Sequence, residues 1–373
     1  MQKKISIGLL LPMSTILPMG KQFEMGLKEG IKPLQTEDGW DVTIQSEFTG
    51  QGSYRKNEEA INKLISFHEV DIISGIVGNK TVAQLANKFQ EHKKPFVANN
   101  LGEHLPNIGL LNEFIFINSP HVWQHIWSLS NWAVQQFGKT GMFVGGTYDA
   151  GYNFMKMMGD GMNAVTTDNA MPYSVAPLDD TKKYSQVEKV FEHIALFKPD
   201  FVFSFFCGTE ASAFLREYIN QGYHKKIPLF GLPFLMESFE PNGEEITIYS
   251  AISSKVSLDM GLQQQERRSP FEQMGLETGM MLAEAIKTAG SDSIEQVLKR
   301  LKLETPMGTL QADLNNLGKG HHVYLTSTKY KGDKSVMERH LLQELPTLQT
   351  DSEQFIESTN QMSSYWENPY LAV

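Results

Sequence analysis

Short apolar runs alternate along this chain with stretches whose apolar residues recur every three or four positions. Ile5–Leu11 is nearly continuous in apolar residues, as suits a strand buried on both faces. Phe23, Leu27, Ile31 and Leu34 then mark one helix face, and Pro33 with Gly39 is expected to end that element. Val42, Ile44 and Phe48 alternate as a strand, and Ala60, Ile61, Leu64 and Ile65 stripe the next helix. Val70–Ile73 reads as a strand, Val82, Leu85, Ala86 and Phe89 as a helix face, and Pro95–Ala98 as another strand. Strands and helices in strict alternation predict a parallel sheet covered by helices on both faces.

The rhythm restarts after Phe114–Asn118, an extended stretch ended by Pro120. Met142–Val144, Tyr173–Ala176, Phe201–Phe206 and Ile227–Phe230 read as strands. Between them lie the helices Phe154–Val165, the Val187, Val190, Phe191, Ile194 stripe, and the Phe214, Leu215, Tyr218, Ile219 stripe. A third section opens with strand-like Ile246–Val256 and continues through helical Phe271–Ala289 and Ile294–Leu301. Two similar halves predict two α/β domains, and a chain that returns after both is expected to complete the first. The tail from Asp351 is polar with isolated aromatics (Tyr365, Trp366, Tyr370), and the sequence gives it no role.

Size agrees with that division. A chain of 373 residues exceeds the roughly 250–300 residues at which single cores stop growing. No apolar run approaches the ~20 residues that span a bilayer, so the protein is not expected to be membrane-spanning. The net charge of −10 and the absence of a basic cluster beyond pairs such as Lys93-Lys94 argue against a nucleic-acid partner. The single cysteine, Cys207, rules out an internal disulfide. Lys3 and Lys4 before Ile5–Leu11 imitate a signal peptide, but the apolar stretch is short and no small-x-small cleavage site follows. We read it as the first strand; an exported protein would have lost its signal before residue 1.

Catalytic motifs are weak. Gly75-Ile76-Val77-Gly78-Asn79-Lys80-Thr81 stands between a strand and a helix, as a phosphate loop does, yet only two residues separate its glycines and Asn79 precedes the lysine. What survives is a helix N-terminus at the sheet's carboxyl edge, where amides and the Asn79 and Thr81 side chains could meet a ligand. Helix capping by these same residues is the competing reading. His121 and His125 stand four apart on an expected helix, but the tryptophans around them (Trp123, Trp127, Trp132) favour a packed interface over a metal site. His321 and His322 are adjacent on an expected strand and so face opposite sides. There is no G-x-S-x-G, H-E-x-x-H or G-x-G-x-x-G, and Cys207 beside Gly208 is a poor nucleophile signal. Neither an enzymatic activity, a cofactor nor a metal is expected.

From about Lys4 to Tyr330 the chain resembles the leucine/isoleucine/valine-binding family of transporter receptors, on landmarks in the right order. Ile5–Ser14 with Gly20 is similar to the opening strand and loop, and Ile72–Thr81 to the strand and turn that hold a ligand carboxylate. Pro95–Gly102 resembles the next binding strand end, and Tyr148–Gly151 with Tyr152 a second-domain loop. Asp200–Glu210 and Gly222–Phe234 resemble later second-domain elements, Thr305–Gly308 a family signature, and Leu317–Thr328 a late hinge strand.

The resemblance implies a type I periplasmic binding protein fold: two doubly wound, parallel-sheet, Rossmann-like domains joined by three crossovers near Phe116–Ser119, Tyr249–Ser253 and Tyr324–Ser327. One lobe is expected to hold residues 1–118 and 252–324, the other 119–251 and 325–373, with the ligand in the cleft between them. The implied ligand-binding set is Ser14, Met19, Asn79, Thr81, Asn99, Asn100, Gly102, Tyr148, Tyr152, Cys207, Thr209 and Phe234. Asn79 falls at a binding serine, Met19 near a tyrosine and Cys207 at a second-domain tyrosine. Pro233 takes the place of the glutamate that receives an α-amino group, unless Glu210 or Glu237 replaces it. The implied function is a periplasmic or extracellular receptor that closes on an amino-acid-like, amide or aromatic-acid ligand and delivers it to an ABC transporter permease. A cytoplasmic ligand-sensing regulator of the same fold and a doubly wound enzyme are the alternatives.

Overall fold

A computed structural model describes residues 3–13, 18–147, 149–179, 185–232, 235, 244–253, 268–305, 308–310, 322–331 and 336–360. In chain order the first elements are β1 (Lys4–Leu11), α1 (Met19–Thr36), β2 (Asp41–Phe48), α2 (Tyr54–Ser66), β3 (Ile72–Ile76), α3 (Asn79–His92), β4 (Phe96–Asn99) and β5 (Ile115–Asn118). There follow α4 (Val122–Phe137), β6 (Gly141–Gly146), α5 (Phe154–Asn163), β7 (Tyr173–Ala176), α6 (Lys189–Phe197), β8 (Phe201–Ser204), α7 (Gly208–Asn220), β9 (Leu229–Gly231) and β10 (Ile246–Ile252). The last are α8 (Pro270–Thr288), α9 (Ile294–Arg300), β11 (Leu303–Thr305), β12 (Gly308–Leu310), β13 (Val323–Lys331), β14 (Val336–Leu345) and α10 (Glu353–Asn360). Among the described residues no helix is long and apolar enough to cross a membrane.

Packing divides the chain into two units. The first takes Met1–His121, Leu262–Lys319 and Glu357–Val373; the second takes Val122–Gly261 and Gly320–Ile356.

The first unit holds a five-stranded sheet in the order β2-β1-β3-β4-β5, parallel throughout. Its register puts Leu10, Ile73, Phe96 and Ile115 on one face, where Ile61, Leu64, Val82, Leu85 and Phe89 of α2 and α3 cover them. The opposite face carries Leu9, Ser74, Val97 and Phe116, in line with Asn99 and Asn118. Gly75, with φ +148°, lies against β1, and a Cβ there would stand 2.3 Å from the Leu10 carbonyl oxygen. Only glycine lets the two strands come this close at that backbone angle.

Helices α1 and α8 pack backbone to backbone. A Cβ on Gly26 would lie 2.0 Å from Glu272 O, one on Gly30 2.4 Å from Leu276 O, one on Gly275 2.1 Å from Phe23 O and one on Gly279 2.5 Å from Leu27 O. Two glycine pairs, each four residues apart, therefore interlock. Pro33 does not end α1 as expected. It sits in the last turn, and the helix runs on to Thr36, because a proline there removes one hydrogen bond near an end that frays anyway.

The second unit holds a seven-stranded sheet, β14-β13-β10-β9-β8-β6-β7. From β7 to β10 it is parallel, but β10 pairs antiparallel with β13 and β13 with β14. The sheet is thus mixed rather than wholly parallel. Tyr249 and Ser327, both expected on crossovers, are direct partners in its β10–β13 ladder. One face is filled by Val190, Phe191, Ile194, Phe214, Leu215 and Tyr218 of α6 and α7. On β8, Phe201 and Phe203 alternate with Val202 and feed an aromatic run instead: Phe203 stacks on Phe230 at 4.8 Å, and Phe230 on Tyr249 at 5.2 Å. Helix α4 is buried along most of its length. Its Gln124 grips Leu348 with both hands, donating to the carbonyl at 2.8 Å and accepting from the amide at 3.2 Å.

Candidate ligand-binding site

The carboxyl ends of β1, β3 and β4 bring Met19, Asn79, Thr81, Asn99, Asn100 and Gly102 into the first unit's upper edge, all of them buried. Helix α3 starts there. Its N-cap is Gly78, with no side-chain cap hydrogen bond, so Asn79 and Thr81 do not cap it. No acidic residue sits in its first turn, and Lys80, the second helical residue, is exposed. Amide dipoles favour an anion at this end; Glu103, buried in the adjoining loop, accepts the Leu101 amide at 3.1 Å.

The asparagines spend their amides on the protein itself. Asn79 Nδ2 donates to His104 O at 2.8 Å, and Asn79 Oδ1 accepts from Asn100 Nδ2 at 2.8 Å. Asn100 Nδ2 also reaches Val77 O at 3.0 Å, while its Oδ1 accepts from Gly102 N at 3.0 Å. Asn99 turns the other way: Nδ2 donates to Ser74 Oγ (3.2 Å), Val97 O (3.1 Å) and Gly75 O (3.3 Å). Its Oδ1 accepts from Thr278 Oγ1 at 2.6 Å and Asn118 Nδ2 at 3.1 Å. Neighbouring residues at a strand end face opposite sides, so Asn99 bolts the α8 side and Asn100 the α3 side. The loop after them, Gly102–Pro106, is buried. Burial, then the charge of Lys80, push the His104 imidazole down to about 4, so it is neutral near pH 7.

In the second unit, Cys207 is the N-cap of α7 and partly exposed, and Thr209 is exposed. Glu210 stands buried in that helix's first turn, and its Oε1 accepts the Ser185 amide at 2.6 Å. The first turn of α7 thus carries an anion, and that of α3 carries none. Tyr152 ends a run of rings: it lies 5.1 Å from Phe154, which stacks on Phe205 at 5.2 Å, and Phe205 stacks on Phe143 at 4.5 Å. Ser14, Tyr148, Pro233, Phe234, Glu237 and His321 lie outside the described residues.

His121 and His125 do not share a helix face. His121 precedes α4 in a left-handed conformation (φ +52°), and His125 Nε2 lies 2.7 Å from Ser253 Oγ. No metal-binding group of three or more ligands occurs among the described residues. The polar partners that sequence reasoning missed are Thr278 and Asn118. Nothing local marks them, since the bond from Thr278 to Asn99 spans 179 residues.

Three comparisons with known proteins bear on this site. No curated protein matches the sequence significantly. Among solved structures, an ABC transporter substrate-binding protein from Sphaerobacter thermophilus superposes with TM-score 0.72 at 17% identity, covering 92% of this chain and 98% of that one. A solute-binding protein from R. palustris in complex with benzoate gives 0.68 at 18% identity, over 92% and 97%. A leucine-binding protein from Thermotoga maritima gives 0.62 at 14%, over 91% and 98%. At such identities the likeness establishes the fold. A family model described as periplasmic binding protein matches residues 4–333. By that match over most of its length, the chain belongs to the periplasmic binding protein family.

Proposed function

We propose that the chain is the substrate-binding receptor of an ABC-type transporter, taking up one small carboxylate-bearing ligand, an aromatic acid above all, without chemically changing it. Membership of the family over residues 4–333 carries the receptor reading. The ligand class rests on charge and shape in each unit. In the first, the start of α3 has no acid in its first turn, and its helix dipole suits a carboxylate. In the second, half-buried Tyr152, at the end of the run through Phe154 and Phe205, offers an aromatic face for a flat ring. Glu210, the candidate acceptor for an α-ammonium group, is held by the Ser185 amide, and an ammonium buried without an acceptor costs several kcal/mol. The R. palustris relative in complex with benzoate supports this choice.

Asn79, Asn99 and Asn100 then serve as bracing, with ligand contacts in the first unit left to backbone amides and Thr81. We assign the protein to the outside of the cytoplasmic membrane, with a membrane permease as partner. A thermal-shift panel of benzoate, 4-hydroxybenzoate, leucine and acetamide tests the ligand class. The two aromatic acids should raise Tm most, and Tyr152→Ala should reduce the gain. A largest shift with leucine would overturn it.

A further inference from the structure

The geometry points to Thr278, acting through Asn99 and Asn118, as the positioning residue that sets the binding edge of the first unit. It rests on the receptor reading above but names residues no ligand touches. Thr278 is fully buried on α8, and its hydroxyl donates to Asn99 Oδ1 while accepting from Asn118 Nδ2 at 3.2 Å. Asn118 Nδ2 also reaches Met274 O at 3.4 Å. The three side chains close a ring in which Asn118 Nδ2 donates to both Asn99 Oδ1 and Thr278 Oγ1, and Thr278 Oγ1 donates to Asn99 Oδ1. Ser74 Oγ donates to Val97 O at 2.8 Å, so it can only accept from Asn99. The ring thereby ties α8 to the last residues of β3, β4 and β5.

Two of those strand ends lead directly into the candidate site. β3 runs into Gly78 and the first turn of α3, and β4 into Asn100, whose amide holds Val77 O and Asn79 Oδ1. Without the Thr278 hydroxyl, Asn99 loses its shortest bond and its amide can rotate away from Gly75 O and Val97 O. β5 ends at Asn118, three residues before the first unit's opening segment ends at His121. A buried, fully satisfied network of this kind rigidifies what it touches, and a rigid site loses less entropy on binding.

The test is amide hydrogen exchange on the full chain, comparing wild type with Thr278→Val and Thr278→Ser. Thr278→Val should speed exchange at Val77–Thr81 and Asn100–Gly102 tenfold or more while leaving the second unit unchanged. Thr278→Ser, which keeps the hydroxyl, should restore protection. If Thr278→Val does not fold, Asn118→Ser, too short to reach Asn99, takes its place with the same expectation. Unchanged exchange at those amides, or a uniform rise throughout the first unit, would overturn the positioning role. Benzoate titration separates this from the ligand reading. Benzoate should bind Thr278→Val at least tenfold more weakly and Thr278→Ser within twofold of wild type. If wild type takes no benzoate, the ligand class fails, and the exchange result still decides the lock.

Discussion

His104 shows how the candidate site couples to stability. Its folded imidazole is held at about 4, below the ordinary 6.5, chiefly by burial and then by Lys80. Between those values the unfolded chain binds more protons, so stability is complete above about 6.5 and is lost as pH falls toward 4. The loss is about 3 kcal/mol across that window. Urea unfolding of His104→Gln should show a flatter pH dependence between 6.5 and 4 than wild type; an equal slope would contradict the assignment. Glu277 has the opposite sign. Burial raises its pKa, so its contribution to stability falls as pH rises. At this scale the sequence was only half legible. The position of Asn79, Asn99 and Asn100 at strand and helix ends could be read, but not the inward commitment of their amides. The alternation that separates His321 from His322 also separates Asn99 from Asn100, and applied there it would have assigned them to different faces.

Among elements, the α1–α8 pair carries the sharpest steric demand. Gly275→Ala places a methyl 2.1 Å from Phe23 O. Overpacking of that kind costs about 1–3 kcal/mol, against a helix-propensity gain of about 1. A net loss of up to about 2 kcal/mol in chemical denaturation is expected. On α5, Gly159→Ala meets only the Met171 side chain, at 3.5 Å or beyond, and should be neutral or gain up to about 1 kcal/mol. Equal effects at the two sites would contradict the close approach of the helix backbones. Apolar periodicity located both α1 and α8 but could not reveal their contact, because the residues that make it are glycines. Strand β14 was missed for a different reason. The register passes from Leu325↔Gln343 to Thr326↔Leu341, leaving Leu342 as an extra residue, and a bulge breaks the period of two. Leu341 and Leu342 are both substantially exposed, so the strand lacks the inward alternation by which half-buried strands are recognised.

For the whole molecule, alternation of strand and helix was enough to predict two α/β halves and a returning section, because buried parallel strands and their covering helices leave long, regular apolar signatures. The antiparallel edge β10–β13–β14 left a weaker one. Ligand chemistry was least legible: it depends on which groups the fold has already paired, such as Glu210 with Ser185 and Asn79 with His104 and Asn100. A receptor of the proposed kind binds one small carboxylate per chain and returns it unaltered. Titration calorimetry of the chain, freed of co-purified ligand by partial unfolding and refolding, with benzoate measures this directly when the recovered ligand is analysed by mass. One benzoate per chain, recovered unchanged, is the expected result. Two per chain, none, or a converted product would rule out a receptor for one small carboxylate.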